Sequence, residues 1–505
     1  MSAENAGKRQ RGGGDGLVAA TSATSSADLE SMLKQALGRI DSLERQHEEI
    51  KMSMGRETTA LRGDIRTLKE ANKAIQALAE RQTRALREDI CRLKAEKKAL
   101  KWSLDRLASK VQEGWEYPVA IQPNEYWQDK GYEDEVIHDL KVEFLGGLKG
   151  AVSELEHGVC DSVSIGSVSH DEDLMPHWNA LFRSFEHINP YDAGVKFYII
   201  STEISEEVMR QMCHHIRHRN ISQVHFENIR FVNVRGAISE LGKALKSPNL
   251  KSLSWYESLI ESTEDMTLFT QFLTQSNAVN ELHFNENGNE NAHALLSGVD
   301  FSRYKVLDFS YNNLQTIGRT DIPDLIAANS PLESFYLGAN RLNDDDAVLI
   351  AQSLLGNTHL TSLDIENNNI QERGMRALYE AVNDTSTLNA SSDSNHSCHL
   401  RGLTEDFDLD AINRDRGSNG RYMNRMSKIH KLMADRYRNG GGNVSHLNSE
   451  MGGEDAVLLA PYLMESVVRR HDALQKSYYE SSACSLGMLY ELVKDWKMVE
   501  LFSFR

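Results

Sequence analysis

No run of apolar residues in the chain approaches the ~20 that a membrane-crossing helix needs. The first residues, MSAENAGKRQRGGGDG, lack the apolar core of a secretory leader. These two absences lead to the expectation of a cytoplasmic protein with no membrane contact. The basic cluster Lys8, Arg9 and Arg11 leaves nuclear import as the alternative. Cysteine is scarce and scattered: Cys91, Cys160, Cys213, Cys398 and Cys484 are odd in number and widely spaced, as reduced thiols are. Sequence signatures of catalysis are missing too. There is no G-x-x-x-x-G-K-S/T, no G-x-S-x-G and no His-Glu-x-x-His, and Leu145-Gly146-Gly147-Leu148-Lys149-Gly150 lacks the spacing of a phosphate-binding loop. The expectation is a chain that is not an enzyme and holds no cofactor.

Positive charge is in deficit, 56 Lys+Arg against 74 Asp+Glu for a net −18, which argues against a nucleic-acid partner. Its distribution is uneven. Residues 29–113 carry 19 basic and 14 acidic side chains, a net +5, and residues 1–28 balance, so residues 114–505 hold −23.

Residues 1–28 contain almost nothing large and apolar and are expected to form a disordered tail. From Leu29 to Val111 the chain has no proline, and apolar residues recur at alternating four-three spacing, with His47, Asn72 and Lys97 as polar interruptions. A helix with so narrow an apolar stripe needs a second one to cover it. The reading is a coiled coil over 29–113, about 125 Å long at 1.5 Å per residue. It would pair through Leu43, Ile50, Leu68, Asn72, Ile75, Leu93, Leu100 and Leu107, most simply as a homodimer. A single long helix or a hairpin bent near Gly55 or Gly63 is the alternative. Gly114-Trp115-Glu116-Tyr117-Pro118 ends it, and 114–159 reads as a linker plus a helical cap with Val136, Leu140, Phe144 and Leu148.

Beyond residue 160 the chain repeats itself. LTSLDIENNNI from Leu360, LESFYLGANRL from Leu332 and YKVLDFSYNNL from Tyr304 start 28 residues apart and keep Asn312, Asn340 and Asn368 in step. Looser copies start at Val279, Leu250, Ile221, Val195 and Cys160, and a last one at Leu388, giving about nine units over 160–403. Helical segments such as 346–355 and 374–382 separate the strands. Strand plus helix at this period resembles the leucine-rich repeat, and the long helix points to its ribonuclease-inhibitor-like subclass. The resemblance implies an α/β solenoid, with parallel strands on the concave side and helices on the convex side. It also implies that Asn312, Asn340 and Asn368 bond to backbone where strand turns into loop. Residues 404–505 lose the period and read as a helical C-terminal cap, with helices near 424–438, 454–470 and 485–497. The whole combination, with Asn395-His396-Ser397-Cys398 and this tail, resembles a group of proteins from unicellular algae, a likeness that implies no particular activity.

Two His/Cys clusters are candidate metal sites. His214 and His218, beside Cys213 and His215, share a helix face, but Arg217 and Arg219 oppose a cation; His396, Cys398 and His399 fall in a turn. Neither is expected to bind metal. Function is therefore sought on a surface. Alternate strand residues that stay out of the core present His225, Glu227, Tyr256, Glu257, Glu281, His283, Asp308, Tyr336, Asp364 and Glu366, without lysine or arginine among them. An acidic face with tyrosine anchors suits a basic protein partner. The expected function is a protein–protein interaction scaffold, a coiled-coil oligomer presenting this surface. Regulation of a small GTPase, which some ribonuclease-inhibitor-like repeat proteins perform, is the alternative by fold analogy.

Overall fold

The computed structural model describes residues 26–404 and, beyond them, Phe407, Lys428 and Leu432. The expected tail up to Ser25 and most of the expected C-terminal helices lie outside the described residues, as do the side chains of Ile50, Leu68, Asn72 and Ile75. Helix α1 spans Ser26–Glu113. Two compact units divide the chain, Met1–Leu93 and Lys94–Arg505. In the first, the described part is helix alone, and Leu43 and Leu93 are exposed on it.

The second unit begins with the last turns of α1, which stop at Gly114 in the left-handed conformation (φ 74°). Short helices α2 (Asn124–Asp129) and α3 (Asp134–Asp139) follow, then a π-helical stretch Leu140–Leu145 that runs into α4 (Gly146–His157). The wider π turn shifts the buried face. Leu140, Phe144 and Leu148 are buried as expected, whereas Val136 faces solvent and Ile137 takes the inward position. Gly147 explains the glycine-rich stretch: a Cβ there would come 3.2 Å from the Ser164 carbonyl, so the glycine lets α4 lie close against the first strand.

Strand and helix then alternate. The strands are β1 (Ser162–Val168), β2 (Val195–Ile204), β3 (Ile221–Glu227), the short β4 (Arg230–Phe231), β5 (Ser252–Tyr256), β6 (Glu281–Asn285), β7 (Val306–Asp308), β8 (Ser334–Tyr336), β9 (Ser362–Asp364) and β10 (His399–Arg401). The helices are α5 (Met175–Ser184), α6 (Glu206–His218), α7 (Val234–Ala244), α8 (Thr263–Gln275), α9 (Asn289–Gly298), α10 (Asp321–Ala327), α11 (Asp344–Leu354), α12 (Glu372–Asn383) and α13 (Leu388–Asp393). All described pairings are parallel, in the order β1-β2-β3-β5-β6-β7-β8-β9-β10, with β4 on β2. The repeat near Leu388 is displaced. Leu388–Asp393 is helical, and the last strand of the array forms later, at His399–Arg401.

Each strand sends alternate residues into one continuous core. Val224, Leu253, Leu282, Leu307, Phe335 and Leu363 stand in register across the sheet and are fully buried. Beside them run Phe226, Trp255, Phe284 and Phe309, with Phe226 and Trp255 ring centroids 5.5 Å apart and Phe284 and Phe309 6.2 Å apart. At ~1.5–3 kcal/mol for each large side chain removed from water, stacking neighbours is what makes any single unit stable.

A second regularity lies within β1 and β2 and within three residues after β3, β5, β6, β7, β8 and β9. Ser167, Ser201, Asn228, Glu257, Glu286, Tyr311, Ala339 and Asn367 all have φ between 45° and 63°. This left-handed step costs roughly 1 kcal/mol or more for a residue with a Cβ, and an asparagine ladder offsets it. Asn312 Nδ2 donates to the carbonyls of Phe284 (2.6 Å) and Phe309 (2.9 Å), and Asn340 does the same to Phe309 (3.0 Å) and Leu337 (2.9 Å). Asn368 donates to Leu337 and Ile365, both at 2.9 Å. Two further rungs extend the ladder upstream: Asn287 donates to Trp255 and Asn285 carbonyls at 2.7 Å, and Ser258 Oγ accepts the Ile229 N–H at 2.9 Å.

Near the other end, the Lys428 ammonium donates to the Asn395 carbonyl at 2.6 Å and to that of Val382, and Leu432, four residues on, is buried.

Candidate functional site

The sheet face that points away from the helices follows from strand register. Its middle column reads Tyr198, His225, Ser254, His283, Asp308, Tyr336, Asp364 and Arg401. On one side stand Lys196, Gln223, Ser252, Glu281, Val306, Ser334, Ser362 and His399. On the other stand Ile200, Glu227, Tyr256 and Asn285. The ten sequence-predicted residues therefore share this face or its loop edge, where Glu257 and Glu366 are exposed. Ser252 and Ser254 do not present themselves to solvent; both are buried between larger neighbours.

The side chains on this face contact one another. His225 Nε2 is 2.9 Å from Glu227 Oε2, and the His225 ring lies 5.6 Å from that of Tyr198. The Tyr256 hydroxyl donates to Glu286 Oε1 at 2.6 Å, and that bond, with partial burial, pushes its pKa up to about 12. Asp308 is a largely enclosed acid of the group. Burial works against its ionised form. Hydrogen bonds from His283 Nδ1 (3.3 Å), the Ser310 N–H (3.0 Å) and Asn285 Nδ2 (2.8 Å) outweigh that and hold its pKa below the ordinary carboxylate value. Asp308 is thus a fixed negative charge at neutral pH.

Two cations escape a reading that follows only the best copies. Lys196 on β2 and Arg401 on β10 flank the acidic strip, and Arg401 Nη1 lies 3.9 Å from Asp364 Oδ2. Lys196 is hidden because the register slips by one residue at the start of β2: Val195 pairs with Ile221 but Lys196 with Gln223, so the outward set of this copy begins one place earlier than in the others. Arg401 stays hidden because the last unit is longer than the others. Neither flank changes the sign of the middle, where Glu227, Glu257, Glu281, Glu286, Asp308, Asp364 and Glu366 gather.

Among the described residues no group of three or more His, Cys, Asp or Glu side chains is placed to hold a metal ion. The rings of His214 and His218 lie 4.7 Å apart between centroids on α6, and Cys213 is buried on the same helix. His396 Nε2 is 2.9 Å from the Ser392 carbonyl, and Cys398 is buried with its thiol pushed up to about 12 by that burial. No described helix is long and apolar enough to cross a membrane.

Comparison with known proteins agrees with this architecture. A family model described as Leucine Rich repeat matches residues 356–378, which hold β9 and the start of α12. Tropomodulin-4 of Bos taurus is 33% identical over 101 residues, 19% of this chain and 29% of tropomodulin-4, so the chain spans less than a third of that relative's length. A solved structure of leiomodin-1 actin-binding site 2 is 11% identical, with a TM-score of 0.20 over 40% of this chain and 92% of that one, too slight an overlap to carry any property across. The matched segment holds β9 and the start of α12, and like strands and helices stack on either side of it as a parallel sheet backed by helices.

Proposed function

We propose that the outward sheet face recognises a basic segment of a protein partner, and that the chain acts as a non-enzymatic scaffold without a cofactor. The carrying observation is one of placement. Seven carboxylates share that face and its edge with Tyr256 and Tyr336, while Lys196 and Arg401 stand only at its two ends. Tyrosines offer apolar area and a polar tip at low entropy cost, and the fixed charge of Asp308 favours lysine or arginine opposite it. The ribonuclease-inhibitor-like form of the repeat fits helices of 11 to 13 residues such as α8, α11 and α12. Pairing through α1 would present two copies of the surface and raise avidity without new contacts.

Affinity capture with the full chain tests the face, set against a variant carrying Tyr256→Ala, Tyr336→Ala and Glu366→Lys. The expected result is a basic partner that the variant loses and that added salt weakens. Identical partners for both chains would mean that recognition happens elsewhere. Light scattering tests the pairing, and a monomer mass for the full chain would remove it.

A further inference from the structure

From Lys94 to Glu113 helix α1 carries two working faces. One is already used. The Asn189 amide donates to the Ala99 carbonyl (3.1 Å) and to Ser103 Oγ (3.2 Å), Arg106 Nε donates to the Glu156 carbonyl (2.9 Å), and Lys110 Nζ lies 3.4 Å from Glu156. Gly158, left-handed at φ 72°, lets Trp102 and Arg106 come so close that a Cβ there would meet them at 2.8 and 2.9 Å. At ~3.6 residues per turn, these docked positions centre about 110° around the helix from the four-three stripe. On that stripe Leu100 is 72% exposed, Leu104 65%, Val111 69% and Leu107 36%.

We infer that this stripe is an interface with the same segment of a second copy, parallel and in register, so that each last stretch of α1 is gripped on one face by its own repeats and on another by its twin. The inference rests on the pairing proposed above and adds where that pairing ends and how it is oriented. A stripe two residues wide in seven matches another of its own kind. Parallel in-register pairing sets Asn72 against Asn72 and lets the two spacing irregularities, Leu61–Ile65 and Leu86–Ile90, coincide in both helices. An antiparallel pair centred on the same span would bury Asn72, Lys97 and His47 against leucines instead. Lys97 is tolerated in a parallel seam because its stem lies along apolar surface while the ammonium reaches water. The exposed stripe offers on the order of 100 Å² per large side chain, and continued along the helix it reaches the ~800 Å² per partner of a stable interface. Because the docked face lies to the side of the seam, a second copy reaches the stripe without displacing the repeats.

Cysteine cross-linking of the full chain tests this. Leu107→Cys, at a position outside the repeat core, is expected to give a reducible covalent dimer under mild oxidation. Ser103→Cys, on the docked face, and the parent with its exposed Cys91 are expected to give none. A chain that is dimeric by light scattering but yields no Leu107→Cys dimer would overturn the inference and leave the pairing intact. A monomer by light scattering would remove both. Equal cross-linking at 103 and 107 would show α1 detached from the repeats, and an internal bridge in a monomeric Leu107→Cys chain would assign the stripe to another part of the same chain; either result overturns it.

Discussion

Asn340 Oδ1 accepts the backbone N–H of Asn312, 28 residues earlier, at 3.0 Å, while Asn312 Oδ1 accepts that of Asn287 at 2.9 Å. Each asparagine thus satisfies backbone groups of its own unit and of the one before it, in a place where water cannot reach. Asn340→Leu leaves the N–H groups of Asn312 and Leu314 without a partner. At ~1–3 kcal/mol for each buried group left unsatisfied, the loss is about 3 kcal/mol or more. Thermal unfolding monitored by circular dichroism should show a clear drop in melting temperature. An unchanged one would show that the ladder is ornamental.

Gly158→Ala adds a Cβ in a left-handed position against Trp102 and Arg106. The strain and the contact together are expected to cost about 2 kcal/mol or more, and to loosen the end of α1 from the repeats. Limited proteolysis should then cut between Lys94 and Lys110 faster than in the parent. Equal cutting rates would mean that the helix does not depend on this close approach.

Acid should weaken the α5–α6 region through His215. Its ring stacks on Phe182 at 5.8 Å, and burial first, then the charges of His214 and Arg219, lower its pKa from 6.5 to about 4, with Glu186 pulling weakly the other way. Between pH 6.5 and 4 the unfolded chain takes up a proton that the folded chain refuses, so stability is present above 6.5 and lost as pH falls toward 4. His215→Phe should flatten that part of the stability-against-pH curve. An imidazole resonance of His215 titrating near 6.5 would contradict the argument.

Lys428 brings its own slope in alkali. Burial lowers its pKa from 10.5 to about 8. From pH 8 to 10.5 the unfolded chain holds a proton that the folded one has released, so the contribution of this side chain improves as pH rises. The difference in melting temperature between the parent and Lys428→Met should move in the parent's favour over that window. A difference independent of pH would mean that the amine is not buried in solution.

The repeat is legible because each unit must return to the core at a fixed interval, and the leading positions of neighbouring copies, Tyr304, Leu332 and Leu360, keep that interval to the residue. The last unit departs from its expected place for a physical reason. Asn357 Oδ1 caps the N–H groups of His359 and Leu360, and Asn395 Oδ1 caps those of Ser397 and Cys398 in the same way. The motif that starts a strand is therefore present at 395–398, but with Cys398 in the leucine's place and α13 inserted before it. Similarly, Val136 fits a regular helical face and is exposed only because a π turn follows, which spacing does not announce. The acidic face is readable from alternation. Its internal bonds, such as Asn285 to Asp308, come from neighbouring strands and leave no local trace.

Strand length changes along the array, from 10 residues in β2 and 7 in β3 to 3 in β7, β8 and β9. The asparagines Asn287, Asn312, Asn340 and Asn368 begin where the strands shorten. Cohesion between neighbours is therefore carried by two different materials. Toward the first strands it is main chain against main chain, which almost any side chain permits. Toward the last it is a spine of identical amides, each bonded to the backbone of two units. The late copies share that asparagine and so look alike in sequence, while the early ones are recognised by their neighbours.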